Sequence, residues 1–192
     1  MTLGFYPKQY YKKNSSVKSY NITFMGNPFD NLPVEDDKRT IYLQSLINYN
    51  LVVFGERFRK RLKNILVKPY GGHDIQRKVY SLSKINLGMP FSLSSLKDYK
   101  NNLYFKNRFF EIPATGNFLL TAKCQDFIDI FPEDTVGYYD DNIESLKENI
   151  NRYLKDKKLR EKMAEMSYKI VHEKHTYLHR FKDMFKIIKE QS

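Results

Sequence analysis

Cysteine is almost missing from this chain: Cys124 is the only one in 192 residues. A single thiol excludes an internal disulfide and any zinc cluster built on cysteines, and it suits a reducing cytoplasm. No apolar run reaches the roughly 18 residues that a membrane-spanning helix needs. The first residues, Met1-Thr2-Leu3-Gly4-Phe5-Tyr6-Pro7, lack a basic stretch followed by an apolar core, so they do not read as a secretory leader. The eight glycines are not arranged as G-x-G-x-x-G behind the first strand, nor as G-x-x-x-x-G-K-[ST] anywhere. Dinucleotide-dependent dehydrogenases and P-loop nucleotidases are therefore not expected. No serine sits in a nucleophile elbow.

What the chain has in excess is positive charge. Thirty-three Lys and Arg against 22 Asp and Glu leave a net +11, which favours phosphorylated ligands, anionic lipid or nucleic acid without choosing among them. The one tight basic cluster, Arg57-Phe58-Arg59-Lys60-Arg61, reads either as a solvated helix face or as a contact to an anionic membrane surface. Aromatics interleave with lysines in Tyr10-Tyr11-Lys12-Lys13 and Tyr104-Phe105-Lys106. No RNP-type motif accompanies them, so nucleic acid is not expected as a partner.

The length suits one well-buried domain. Residues 1–20 are polar, Tyr-rich and aperiodic, and read as a connector. From residue 21 onward, strand and helix alternate. Strands are expected at Asn21–Gly26, Leu51–Gly55, Ile65–Val67, Lys84–Gly88, Phe118–Thr121 and Thr135–Tyr139. Helices are expected at Lys38–Asn48, Arg57–Asn64, Asp74–Leu82 (capped by Asp74), from Arg108 to a stop at Gly116, at Asp126–Phe131 and from Asn142 to Leu154. Two more run from Asp156 to about His172 and from Tyr177 to Lys189, and a long loop precedes Tyr104. This alternation predicts an α/β fold: a Rossmann-like parallel sheet of about six strands, helices on both faces and helices at the C-terminus. Such sheets bind ligands beyond the carboxyl ends of their strands, at the topological switch point.

Candidate site residues follow from that placement. Arg108 and Glu111, three apart on a short helix, are neighbours on one face. They read either as an intrahelical ion pair or as a reader of a sugar nucleotide, the guanidinium on phosphate and the carboxylate on a ribose diol. Gly26-Asn27, closing the first strand, reads as a turn or as backbone N–H groups open to phosphate. His172, His175 and His179 would share a face on a continuous helix, a spacing compatible with metal ligation. A cap at Thr176 would break that helix, so no metal site is expected. Asp140-Asp141 reads as helix capping, and Cys124 as a passive residue.

The stretch Arg108-Phe109-Phe110-Glu111…Gly116…Leu119-Leu120-Thr121 resembles the group 1-like glycosyltransferases, most closely the spore-maturation-type family. Phe24-Met25-Gly26 with Arg39, Lys84-Ile85-Asn86-Leu87, Tyr153-Leu154, Arg160, Met163-Ala164 and His175-Thr176-Tyr177…Arg180 extend the resemblance from Asn21 to the end. It implies the C-terminal, donor-binding half of a GT-B transferase. Glu111 would hold the donor ribose, and Arg108 with Gly26 and Asn27 would lie at the diphosphate. The donor would be a nucleotide-diphosphate sugar, with no cofactor and no bound metal. The acceptor would be a glycan or glycoconjugate, as in surface-polysaccharide assembly. Such an enzyme has a second, N-terminal domain that supplies the acceptor site, here carried on another segment or subunit. Residues 1–20 resemble the end of an interdomain linker, and the closing helix would cross back onto that domain. The implied location is cytoplasmic, with peripheral contact to an anionic membrane. The alternative is a noncatalytic basic scaffold of the same fold, docking to a membrane or a partner subunit.

Overall fold

The computed structural model describes residues 4–12, 17–90 and 106–190. Six strands form one sheet: β1 Tyr20–Met25, β2 Leu51–Phe54, β3 Leu66–Lys68, β4 Ser83–Gly88, β5 Leu119–Ala122 and β6 Gly137–Tyr139. All five pairings are parallel, in the order β3-β2-β1-β4-β5-β6. The order reverses between β1 and β4, so the switch point lies beyond Met25 and Gly88.

Among the described residues, seven α-helices accompany the sheet: α1 Lys38–Gln44, α2 His73–Leu82, α3 Arg108–Ala114, α4 Gln125–Ile130, α5 Ile143–Lys155, α6 Lys157–Lys174 and α7 Tyr177–Glu190. The strands alternate between two cores because successive side chains point to opposite faces. Ile22, Phe24, Val53 and Leu120 pack with Leu43 of α1 and with Leu146 and Ile150 of α5. Met25, Val52, Phe54 and Leu119 pack on the other face with Val79, Phe109, Ile112 and Phe127 from α2, α3 and α4. Helix α6 belongs to both faces, giving Met163 and Ala164 to the first core and Val171 to the second.

Several expected elements differ at their ends. The helix expected to run from Lys38 to Asn48 stops at Gln44, and a separate 3-10 turn covers Ile47–Tyr49 before Asn50 in the left-handed region. The basic helix expected over Arg57–Asn64 is a 3-10 turn over Glu56–Lys60, held by fully buried Phe58. Asp74 does not cap α2; Gly72 occupies that position and Asp74 pairs with Arg77 at 2.8 Å. The expected caps at Asn142 and Thr176 are in place, accepting from the N–H groups of Ser145 and His179. The long loop before Tyr104 lies outside the described residues, as do Tyr104, Phe105 and Lys13.

The N-terminal stretch is packed onto the domain. Phe5 and Tyr10 are both about 1% exposed. The backbone of Phe5 exchanges hydrogen bonds with His175 and Tyr177. Among the described residues no helix is long and apolar enough to cross a membrane.

Candidate functional site

Two glycines let the carboxyl ends of β1 and β2 come together. The Gly26 N–H donates to Phe54 and the Gly55 N–H donates to Lys68, each at 2.9 Å. A Cβ on Gly55 would lie 1.8 Å from the Gly26 carbonyl oxygen, so no side chain fits there. Gly26 has φ +157°, outside the range that other residues favour. A Cβ on it would meet the Arg108 guanidinium at 2.7 Å. Arg108 rests on this bare backbone, donates to the carbonyl of Met25 and lies over the ring of Phe24, 5.6 Å from its centroid.

Two further cations face the same strand end. Asp37 caps α1 by accepting from the Arg39 N–H at 3.1 Å. That places the Arg39 guanidinium against the Asn27 carbonyl at 2.9 Å and over Phe29 at 4.0 Å. Burial, and then the charge of Arg108, lowers the pKa of Arg39 to about 10. Lys106 is also lowered, first by burial and then by Arg39 and Arg108. Three cations therefore repel one another at the end of β1, an arrangement that an anionic ligand would relieve. Beside them the Asn27 side-chain oxygen is buried with no hydrogen-bond partner among the described residues, which is costly unless a ligand donates to it.

Glu111 lies on the same helix as Arg108 but the two do not form an ion pair among the described residues. The i,i+3 spacing brings the side chains near, yet Arg108 turns toward Met25 while Glu111 turns inward and is 8% exposed. Burial raises the pKa of its carboxyl to about 7, against opposing pulls from the Tyr10 hydroxyl and the Arg108 charge. Tyr10 is held from behind: its hydroxyl donates to Gln76 Oε1 at 2.6 Å and lies 2.7 Å from His73 Nδ1.

The structure thus brings Gly26, Asn27, Arg108 and Glu111 to one place. Sequence reasoning missed Arg39 and Lys106 as members of the basic cluster and Tyr10 as a neighbour of Glu111. Arg39 carried a signal, two residues past an N-cap aspartate just beyond the first strand; Tyr10 carried none. The three histidines are separated in role. His172 meets Phe5 edge-on and packs against Tyr168, His175 packs on Phe110 and Phe131, and His179 bonds the Thr176 hydroxyl at 2.7 Å. No group of three or more His, Cys, Asp or Glu among the described residues is placed to hold a metal ion. Burial pushes the Cys124 thiol up, which disfavours its thiolate.

The sequence model of the glycosyl transferase-like family matches residues 39–186. This chain belongs to that family. The match runs from Arg39, through Arg108 and Glu111, into α7, and β1 with Gly26 and Asn27 precedes it.

Solved structures of glycosyltransferases share the fold of this glycosyl transferase-like chain. Sucrose-phosphate synthase from Thermosynechococcus elongatus superposes with a TM-score of 0.66 at 14% identity, covering 99% of this chain and 52% of the other. A protein from Anabaena, solved in complex with UDP and glucose, gives 0.65 at 9% identity, covering 97% and 55%. The C-terminal domain of a group 1 family glycosyl transferase from Francisella tularensis gives 0.60 at 14% identity, covering 90% and 99%. The chain therefore spans about half of the first two proteins and almost all of the isolated C-terminal domain. No curated protein sequence matches it. Its six-stranded parallel sheet is that of a GT-B glycosyltransferase domain.

Proposed function

We propose that this chain is the donor-binding half of a GT-B glycosyltransferase, taking a hexosyl group from a nucleotide-diphosphate sugar. The observation that carries the reading is the buried Glu111 carboxyl, on the same short helix as Arg108 and beside the basic cluster of Arg108, Arg39 and Lys106 at the switch point. A ribose diol donating two hydrogen bonds to Glu111 would supply the solvation that burial removes and return the carboxyl to its charged form. The diphosphate would lie against Arg108, Arg39 and Lys106, with Asn27 and the Gly26 backbone alongside.

In transfer, the bond between the anomeric carbon and the diphosphate oxygen breaks and negative charge collects on the leaving diphosphate. Fixed cations stabilise that charge without a metal ion. A glycan or glycoconjugate acceptor, and the base that activates it in an inverting reaction, would come from a second domain or subunit. The half-length match to full-length enzymes supports this division. So does α7, where Leu178, Phe181 and Phe185 are exposed along one side. We assign the closest kinship to the spore-maturation-type transferases, and the setting to surface-polysaccharide assembly at the cytoplasmic face of an anionic membrane.

Thermal unfolding of the chain with UDP, GDP, ADP and CMP tests the donor reading. A nucleotide present at 100 times its Kd adds about 2.7 kcal/mol to stability. One nucleotide should raise the melting temperature of the parent and leave Glu111→Ala unmoved. Equal shifts in parent and variant would remove Glu111 from the site.

A further inference from the structure

A cavity opens at the end of the sheet opposite the switch point, where β1, β4 and β5 begin. Its volume is about 710 Å³, within the range of small-molecule sites. Lys84 at the start of β4 lines it, whereas Gly88 closes the same strand at the switch point. Four residue steps of strand separate the two, roughly 13 Å along the sheet.

The walls hold more positive charge than their carboxylates offset. Glu161 and Glu165 line the cavity, but Glu161 pairs with Lys157 at 3.6 Å and Glu165 with Lys12 at 2.8 Å. That leaves Lys18, Lys84 and Arg160, none with a carboxylate within ion-pair distance among the described residues. Neutral oxygens hold them in place. The Lys18 ammonium donates to the Ser81 carbonyl and to Asn117 Oδ1, both at 2.8 Å, and Lys84 donates to Asn21 Oδ1 at 2.8 Å. Arg160 donates to the carbonyls of Tyr153 and Leu154 at the end of α5. Burial, and then the charge of Arg160, lowers Lys18 to about 8. Holding like charges together in a partly dry cavity is unfavourable unless an anion joins them.

A second observation is independent of charge. The Ser81 hydroxyl belongs to a residue only 6% exposed that lines the cavity, and it has no hydrogen-bond partner among the described residues. A buried hydroxyl without a partner, in a wall that also carries Lys18, Lys84 and Arg160, suits phosphate oxygens, which accept from hydroxyls and cations alike. The backbone adds to the shape. Gly116, at φ +67°, ends α3 in a left-handed turn that no β-carbon obstructs, and the Lys12 stem lies against it.

We propose that this cavity binds a small phosphorylated ligand, with Lys18, Lys84 and the Ser81 hydroxyl on its phosphate oxygens and Arg160 as a fixed positive wall. The site is separate from the donor site and does not rest on the reading given for it.

Amide NMR of the full chain titrated with inorganic pyrophosphate at constant ionic strength tests this. The amides of Ser81, Gly116 and Asn117 should shift saturably, independently of any shift at Gly26 and Asn27. Lys84→Met should weaken binding at the cavity amides tenfold or more. Ser81→Asp, which places a carboxylate among the cations, should abolish it while the rest of the spectrum shows an intact fold. Both variants should leave any response at Gly26 and Asn27 as in the parent. Cavity amides that do not move in the parent, or that titrate in both variants as they do in the parent, would overturn the proposal.

Discussion

The Arg108 guanidinium donates to the backbone carbonyl of Met25, the last residue of β1, 83 positions earlier in the chain. This bond locks the start of α3 onto the carboxyl end of the central strand. It also keeps Arg108 away from Glu111, its neighbour by helical spacing. Under the proposed donor-binding role, the two groups would face different parts of one ligand.

Removing the Glu111 charge should stabilise the empty protein while removing donor binding. Its carboxyl rises from 4.5 to about 7 on folding, so the native state holds the proton more tightly than the unfolded chain. The resulting penalty is absent below pH 4.5, grows between 4.5 and 7, and is complete above 7. Glu111→Gln should therefore gain roughly 2–3 kcal/mol at pH 8, a rise of about 5–10 °C in melting temperature, and nothing at pH 4. Differential scanning calorimetry at the two pH values checks it.

His175 titrates in the opposite sense. Burial, followed by the charge of Arg180, lowers it from 6.5 to about 4, so its contribution to stability is present above pH 6.5 and is lost as pH falls toward 4. Between pH 4.5 and 6.5 the two groups oppose each other. The parent should show a shallow stability profile there, and Glu111→Gln should expose a steeper loss on acidification. A profile of the same slope in both proteins would contradict this.

Arg108→Gln should weaken a nucleoside diphosphate far more than the corresponding nucleoside. A charge-assisted hydrogen bond to phosphate contributes about 1.5–3 kcal/mol, tenfold or more in Kd. Calorimetric titration with both ligands separates this from general unfolding, which would weaken them equally.

Tyr10→Phe removes one hydroxyl and leaves Gln76 Oε1 buried without its donor. The cost should be about 1–2 kcal/mol by urea unfolding. The Glu111 carboxyl should rise further, since the Tyr10 hydroxyl now draws it down; carboxyl-detected NMR titration reads that shift.

Gly55→Ala should cost more than Gly26→Ala. The new methyl at Gly55 would strike the Gly26 carbonyl, a backbone atom held in the sheet, whereas at Gly26 the nearer atoms are the end of the Arg108 side chain. Roughly 2–4 kcal/mol is expected for Gly55→Ala by denaturant unfolding. Gly26→Ala should lose less stability and should weaken nucleoside diphosphates by displacing Arg108.

Much of the sheet was legible because each strand is a short apolar run bounded by glycine, proline or polar residues, and each helix between them carries its apolar residues at helical spacing. Boundaries slipped where local propensity and packing disagree. Leu46 and Ile47 extend the α1 stripe on paper, but Leu46 is buried outside the helix and Asn50 takes a left-handed turn to start β2. The 3-10 turn at Glu56–Lys60 follows from one buried side chain, Phe58, against Phe24. No charge pattern reveals that.

By itself, the order of apolar runs determined an alternating α/β domain, and local spacing put Arg108 and Glu111 on one short helix. These are local properties, set by residues close together in the chain. Tertiary structure alone decided that Arg39, Lys106 and Arg108 crowd one strand end, that Tyr10 lies behind Glu111, and that Lys18, Lys84 and Arg160 share a cavity. Those juxtapositions depend on parallel pairing and burial, which bring distant segments together and turn ordinary surface charges into interacting ones.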